Sequence, residues 1–260
     1  MTGAASPPPP PLRAGEISLF LDVDGTLVEI ERDPGAVHVP DELCRILEQL
    51  QRATGGALAL VSGRSLRQLD ALFSPLRLSA AGLHGLERRN MQHEVVRAKP
   101  KPELFDRARN QLGDFAAQHQ GVLLEDKGLT LALHYRKAPQ RREEAEALVR
   151  QIVKDSGGAL VLLDGKMVFE LKPPGADKGL AIAAFMREPP FAGRLPVFAG
   201  DDVTDEAGFE MINEMGGVSI YIGRDARESA AKHALASVTA VQDWLATLIA
   251  GRDSSDRAVA

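Results

Sequence analysis

The stretch Ile17-Ser-Leu-Phe-Leu-Asp-Val-Asp-Gly-Thr-Leu27 decides how the rest of the chain is read. It opens with a near-continuous apolar run of strand length and stops in a polar, glycine-bearing loop. A strand that alternates apolar and polar residues keeps one wet face, whereas a run like this one is covered on both faces, as in a parallel sheet between helices. The pattern recurs at residues 57–61, followed by Ser62-Gly63-Arg64, and at 195–199, followed by Gly200-Asp201-Asp202. Three such strands predict an α/β core, a parallel sheet flanked by helices, in which ligands bind beyond the carboxyl ends of the strands. The polar residues after each run all fall at that edge.

The middle of the chain has a different grain. A helix is expected over residues 102–118, residues 129–135 alternate like a half-buried antiparallel strand, and residues 139–154 have the charge-rich period of a surface helix. Residues 159–163 and 166–171 flank Asp164-Gly165, a favoured two-residue hairpin turn. These elements predict an inserted α+β domain over 95–174, dividing a core made of 16–94 and 175–252. Within the core, helices are expected at 179–188, 206–215 and 239–250, and a strand at 218–222. Val241, Trp244, Leu245 and Leu248 share the helical spacing of a docked face, and Cys44 reads as a small core residue. Residues 1–15, with prolines from Pro7 to Pro11, and residues 253–260 have little to bury and are expected to be disordered tails.

Composition excludes several partners. The chain has 260 residues, and 31 Lys and Arg against 36 Asp and Glu leave a net charge of −5, so no long-range field draws nucleic acid. Any phosphate must be held by a local site. The single cysteine cannot form an internal disulfide, and no stretch approaches the roughly 18 apolar residues of a membrane span. A cytoplasmic monomer acting on a small molecule, without a membrane or nucleic-acid partner, is the expectation.

Asp22 and Asp24 stand two apart at the exit of the first strand, so extended backbone sends both carboxylates to one side. Such a pair can hold a hard cation such as Mg2+ through oxygen, and like charge drives the two proton affinities apart. One carboxylate can then attack as a nucleophile while the other gives and takes a proton. Asp-Gly is also ordinary turn chemistry; its place directly after a buried strand favours a site.

The hexapeptide Asp22-Val23-Asp24-Gly25-Thr26-Leu27 resembles the signature of the haloacid-dehalogenase-like (HAD-like) phosphatases. That resemblance implies a Rossmannoid core with an inserted cap and an aspartyl-phosphate formed on Asp22. It further implies Asp24 as acid and base, and Mg2+ held by Asp22, Asp24 and Asp201. Ser62 would hydrogen-bond the transferring phosphoryl group and Lys178 would neutralise its charge, with Gly63, Asp202 and Asp205 in support.

A finer resemblance is to the trehalose-6-phosphate phosphatases. It is carried by Ser62-Gly63-Arg64, by Gly82-Leu83-His84-Gly85-Leu86-Glu87, by the run from Lys127 to Arg136, by Glu170-Leu171-Lys172-Pro173, and by Gly200-Asp201-Asp202-Val203-Thr204-Asp205-Glu206. It implies a mobile cap on which Glu170 and Lys172 meet sugar hydroxyls. Arg64, His84 and Glu87 are further candidate substrate-binding residues, Arg64 reaching the phosphate or a hydroxyl, and His84 and Glu87 either lining the cleft or only bracing the loop. The roles of His134 and Arg136 stay open. Asp177 stands where an Asn often precedes the lysine. The implied activity is Mg2+-dependent hydrolysis of trehalose 6-phosphate. The same motifs also suit a sugar phosphomutase, a phosphatase of sucrose phosphate or a mannosyl ester, or a non-catalytic phosphosugar sensor.

Overall fold

A computed structural model describes residues 6–31, 37–99, 102–224 and 228–256 of the chain. Two compact units divide it: Met1–Val96 together with Asp177–Ala260, and Arg97–Ala176.

The first unit is organised by the alternation along β1 (Ile17–Leu21). Ile17, Leu19 and Leu21 face one side and Phe20 the other, and every residue of the strand is buried. β1 lies between β2 (Leu58–Val61) and β10 (Leu195–Gly200), parallel to both, with Leu19 opposite Leu58 on one side and Val197 on the other. β3 (Ser79–Gly82) pairs parallel to β2, β4 (Glu87–Arg89) pairs antiparallel to β3, and β5 (Val95–Arg97) completes that edge. On the far side β11 (Val218–Ile222) and β12 (His233–Leu235) extend the sheet in parallel, giving the order β12-β11-β10-β1-β2-β3-β4-β5. The order reverses at β1, so the loops after β1 and β10 open onto one crevice.

Helices cover both faces. On the side of Leu19, α1 (Asp41–Ala53) supplies Leu43, Leu47 and Leu50, while α7 (Val238–Asp256) supplies Val241, Leu245 and Leu248. On the side of Phe20, α5 (Lys178–Phe185) and α6 (Glu206–Glu214) bring Ile182, Phe185, Phe209 and Ile212 against Phe198. Each such side chain contributes about 1.5–3 kcal/mol of burial, which is what holds the loop-bearing strand ends in place. The short α2 (Leu66–Leu72) follows β2, begins at Ser65 with a capping box to Gln68, and buries Leu66 and Leu69.

The second unit is a four-stranded antiparallel sheet in the order β6-β7-β9-β8, built from β6 (Leu123–Asp126), β7 (Leu131–His134), β8 (Val161–Gly165) and β9 (Val168–Lys172). α3 (Pro102–Gln118) and α4 (Arg142–Asp155) share its core, where Leu112 and Val149 pack with Leu131, Leu133, Phe169 and Leu171. The hairpin turn departs from the sequence expectation. Asp164 and Gly165 lie inside β8 and pair with Phe169 and Val168, and the turn falls on Lys166 and Met167, the latter at φ 66°. The register that sets Leu162 opposite Leu171 keeps the apolar partners together, and that packing overrides the local preference of Asp-Gly.

The amino-terminal segment differs too. Residues 1–5 and 257–260 of the two expected tails lie outside the described residues, but residues 6–16 are held. Ala234 donates its N–H to the Pro7 carbonyl at 3.0 Å, Pro8 O lies 3.1 Å from His233 Nδ1, and Leu12 and Ala14 pack inward. A proline run has no internal hydrogen bonds, so its carbonyls are free to accept from the edge strand β12. At the other end α7 continues to Asp256. Among the described residues no helix is long and apolar enough to cross a membrane.

Candidate active site

The loop after β1 is fixed before any chemistry is considered. Val23, Leu27 and Val28 are buried, and the Val23 carbonyl accepts from the N–H groups of Leu27 and Val28. Asp22 donates its own N–H to Ala199 O across the crevice. Gly25 sits at φ +87°, and a Cβ there would fall 2.1 Å from Asp201 Oδ2. Glycine is therefore required twice, for the backbone and for the approach of the second acidic loop.

Three carboxylates converge. Oxygens of Asp22, Asp201 and Asp205 lie within 4.8 Å of one another. Lys178 stands among them, 2% exposed, with Nζ 2.8 Å from Asp22 Oδ1 and 2.6 Å from Asp205 Oδ1. Burial holds the Asp22 carboxyl well above the usual carboxylate range; Asp205 and Asp201 push the same way and Lys178 opposes them. Burial alone would strip the charge from Lys178, but the carboxylates of Asp205 and Asp22 outweigh it and hold the ammonium firmly protonated. α5 delivers that lysine. Its N-cap, Asp177, accepts the N–H of Leu180 at 2.7 Å, a task that Asn performs equally well, so the exchange at this position leaves the lysine in place.

Asp205 proves more central than its sequence position suggests. It is fully buried, and its Oδ2 accepts the N–H groups of Asp201 (3.0 Å) and Asp202 (2.9 Å) while Oδ1 holds Lys178. It thus ties the loop after β10 to the lysine. Asp202 caps the short turn over Val203–Asp205.

Asp24 is engaged differently from the other acids. Its carboxylate lies outside the convergent group and takes a bidentate pair from Arg64, Nε to Oδ2 at 2.7 Å and Nη2 to Oδ1 at 2.6 Å. The guanidinium fork matches a carboxylate, and that match outweighs placing a further anion beside three others. Arg64, expected to meet substrate, is in this structure the partner of Asp24. Ser62 is buried beside it and its Oγ accepts the Arg64 N–H at 3.2 Å. Gly63 leaves room for the ring of His84, since a Cβ there would lie 2.7 Å from His84 Nε2. Glu87 is 5% exposed and accepts the Leu66 N–H at 2.5 Å.

The donor set fits a divalent cation. Among the described residues, three carboxyl groups and one ammonium crowd a largely buried place, and an all-oxygen set suits Mg2+.

In the second unit, Glu170 and Lys172 share the face of β9 opposite Phe169 and Leu171, and both are buried rather than forming a solvated charged face. Glu170 Oε1 accepts Thr130 Oγ1 at 2.5 Å and lies 3.4 Å from Lys127 Nζ; the Lys172 ammonium donates to Ala176 O. His134 Nε2 is 2.9 Å from Glu125 Oε2, and Arg136 donates to Lys166 O at 3.0 Å. Lys127 and Thr130, which the sequence shows only as part of a motif, both reach Glu170.

A parallel sheet that reverses order at β1, with acidic loops after β1 and β10 and a lysine at the start of α5, defines a HAD-like fold. Comparison with known proteins takes this further. The family described as trehalose-phosphatase matches residues 20–240, and the chain belongs to that family. It is 44% identical over 235 residues to the trehalose-6-phosphate phosphatase of Escherichia coli, covering 90% of this chain and 87% of that protein. It is 45% identical over 231 residues to a Sinorhizobium fredii protein described as "Probable trehalose-phosphate phosphatase", covering 89% of this chain and 87% of that one. The C-terminal domain of the Candida albicans trehalose-6-phosphate phosphatase superposes with a TM-score of 0.83 at 20% identity, over 94% of this chain and 99% of that one, which supports the fold. The chain is an enzyme of the trehalose-phosphatase type.

Proposed function

We propose that this chain hydrolyses trehalose 6-phosphate to trehalose and phosphate, with Mg2+, through an aspartyl-phosphate on Asp22. The observation that carries the reading is Lys178 buried between Asp22 and Asp205 beside Asp201. Asp22 and Asp201 would hold the cation, with Asp24 as the third expected ligand and Asp205 in support; when bound it offsets charge on the phosphoryl oxygens.

The chain's own residues do the rest. The carboxylate of Asp22 attacks phosphorus, and the bond to the sugar oxygen breaks as Asp24 gives that oxygen a proton. Asp24 then takes a proton from water, which attacks the acyl phosphate, releases inorganic phosphate and restores Asp22. Lys178 keeps the nucleophile oriented and neutralises the phosphoryl charge together with the Ser62 hydroxyl. The guanidinium that grips Asp24 is also a fork for phosphate oxygens, so an incoming ester competes for Arg64 and frees Asp24 to carry its proton. Glu170 and Lys172 on the cap supply an acceptor and donors suited to sugar hydroxyls, and cap closure would exclude bulk water.

The reading carries with it a cytoplasmic monomer whose partner is a small sugar phosphate. The experiment is phosphate release from a panel of sugar phosphates with and without Mg2+. Selective, Mg2+-dependent release from trehalose 6-phosphate is expected. Conversion of a hexose phosphate to its isomer with little free phosphate would overturn the hydrolase reading in favour of a mutase.

A further inference from the structure

The sequence leaves Glu87 either lining the cleft or bracing its loop, and its surroundings favour the second task. The backbone from Ser62 to Leu66 is tied along its length to residues 81–87. Ser62 donates its N–H to Ala81 O at 2.9 Å, His84 donates to Ser62 O at 3.0 Å, and Leu83 donates to Arg64 O at 2.9 Å. The last tie is the Glu87 carboxylate on the Leu66 N–H. Leu66 opens α2, whose N-cap side chain is engaged with Gln68 N, so Glu87 satisfies an amide that Ser65 leaves over. It also places negative charge at the positive end of that helix.

Making these ties forces the chain through an unusual turn. Leu83 (φ 51°), His84 (φ 54°) and Gly85 (φ 93°) follow one another in the left-handed region. Two side-chain-bearing residues there in succession are uncommon, and such a backbone persists only where its surroundings over-determine it. The other side of the turn abuts the start of α5: a Cβ at Gly85 would lie 2.9 Å from the carbonyl oxygen of Asp177, next to Lys178. One turn therefore touches both the loop that carries Ser62 and Arg64 and the helix start that carries Lys178.

We propose, resting on the phosphatase reading above, that Glu87 is a positioning residue for phosphoryl transfer. Through the Leu66 N–H and the left-handed turn it fixes where Ser62 and Arg64 stand relative to Lys178, and it does not meet the sugar. Its near-complete burial and its bond to a main-chain amide suit that task.

The test compares two esters, trehalose 6-phosphate and the small aryl ester p-nitrophenyl phosphate, on Glu87→Ala, Glu87→Gln and Glu87→Asp. Glu87→Ala is expected to lower kcat on both esters by the same factor, about tenfold to a hundredfold, the scale of a slight misplacement of catalytic groups. KM for trehalose 6-phosphate should stay within about twofold, because binding contacts are intact. Glu87→Gln keeps an acceptor oxygen at the right reach and restores most of the rate, whereas Glu87→Asp keeps the charge, loses the reach and behaves like Ala. If Glu87→Ala fails to fold, as read by circular dichroism, the contrast between Gln and Asp decides. The role is overturned if truncation raises KM for the sugar ester while sparing the aryl ester, which would mean sugar contact, or if all three variants match the parent on both esters. A parent chain that releases phosphate from neither ester overturns the phosphatase reading and this role with it.

Discussion

Replacing Lys178 by Met removes the only cation that touches Asp22 and Asp205 among the described residues while filling much the same space, so the loss is electrostatic rather than a cavity. Lys178 is 2% exposed, Asp22 6% and Asp205 0%, so water cannot take over the charges left behind. Breaking a buried ion pair from one side costs about 3–5 kcal/mol. For a unit of this size that lowers the midpoint of thermal unfolding by on the order of 10 °C. The single tryptophan makes the assay selective: Trp244 lies on α7 against the core cluster of the catalytic unit, so its fluorescence follows that unit. Guanidinium titrations of the parent and Lys178→Met in metal-free buffer should differ by that energy. Added Mg2+ should recover part of it, since a ligand at about a hundred times its dissociation constant contributes about 2.7 kcal/mol. Equal midpoints in metal-free buffer would show that the ammonium does not offset the buried carboxylates, and the account of the site would be wrong at its base.

Three further outcomes follow from the same geometry. Gly25→Ala strains a left-handed backbone by about 1–2 kcal/mol and drives a methyl into Asp201, so isothermal titration should show Mg2+ affinity lost even where the fold survives. Asp205→Asn should lower kcat sharply and loosen the loop at Asp201, visible as faster amide exchange at Asp201 and Asp202, whose N–H groups it holds. The hydrogen bond from Arg88 holds Glu188 below the usual carboxylate range against its partial burial. Its contribution is therefore present above the unfolded value of about 4.3 and is lost as pH falls through the lower folded value. The stability gap between the parent and Arg88→Met should accordingly narrow below about pH 4, leaving the part due to the Arg88 guanidinium over the Phe185 ring.

What the sequence disclosed depended on how strongly each element advertises its burial. β1, β2 and β10 are apolar on both faces, so their runs stand out, and the loops that follow them hold Asp22, Ser62 and Asp201. β3 is Ser-Ala-Ala-Gly; it is fully buried but too small in side chain to show as a hydrophobic run. The turn does not fall on Asp164-Gly165 because the packing of Leu171 opposite Leu162, which no local turn preference encodes, sets the register. The pairing of Arg64 with Asp24 spans 40 positions and that of Lys178 with Asp22 spans 156, and no local pattern encodes which acid a given cation will choose. Likewise, the composition of residues 6–16 shows little to bury, yet the free edge of β12 gives their carbonyls donors that only the folded sheet presents.

The most direct measurement is an acid quench of the chain during turnover of trehalose 6-phosphate with Mg2+, followed by borohydride reduction and peptide mass analysis. A phosphoryl group on Asp22, seen as its reduction to homoserine, and its absence in Asp22→Asn are the predicted result. Rapid phosphate release by Asp22→Asn, or label on another residue, would contradict the proposed chemistry.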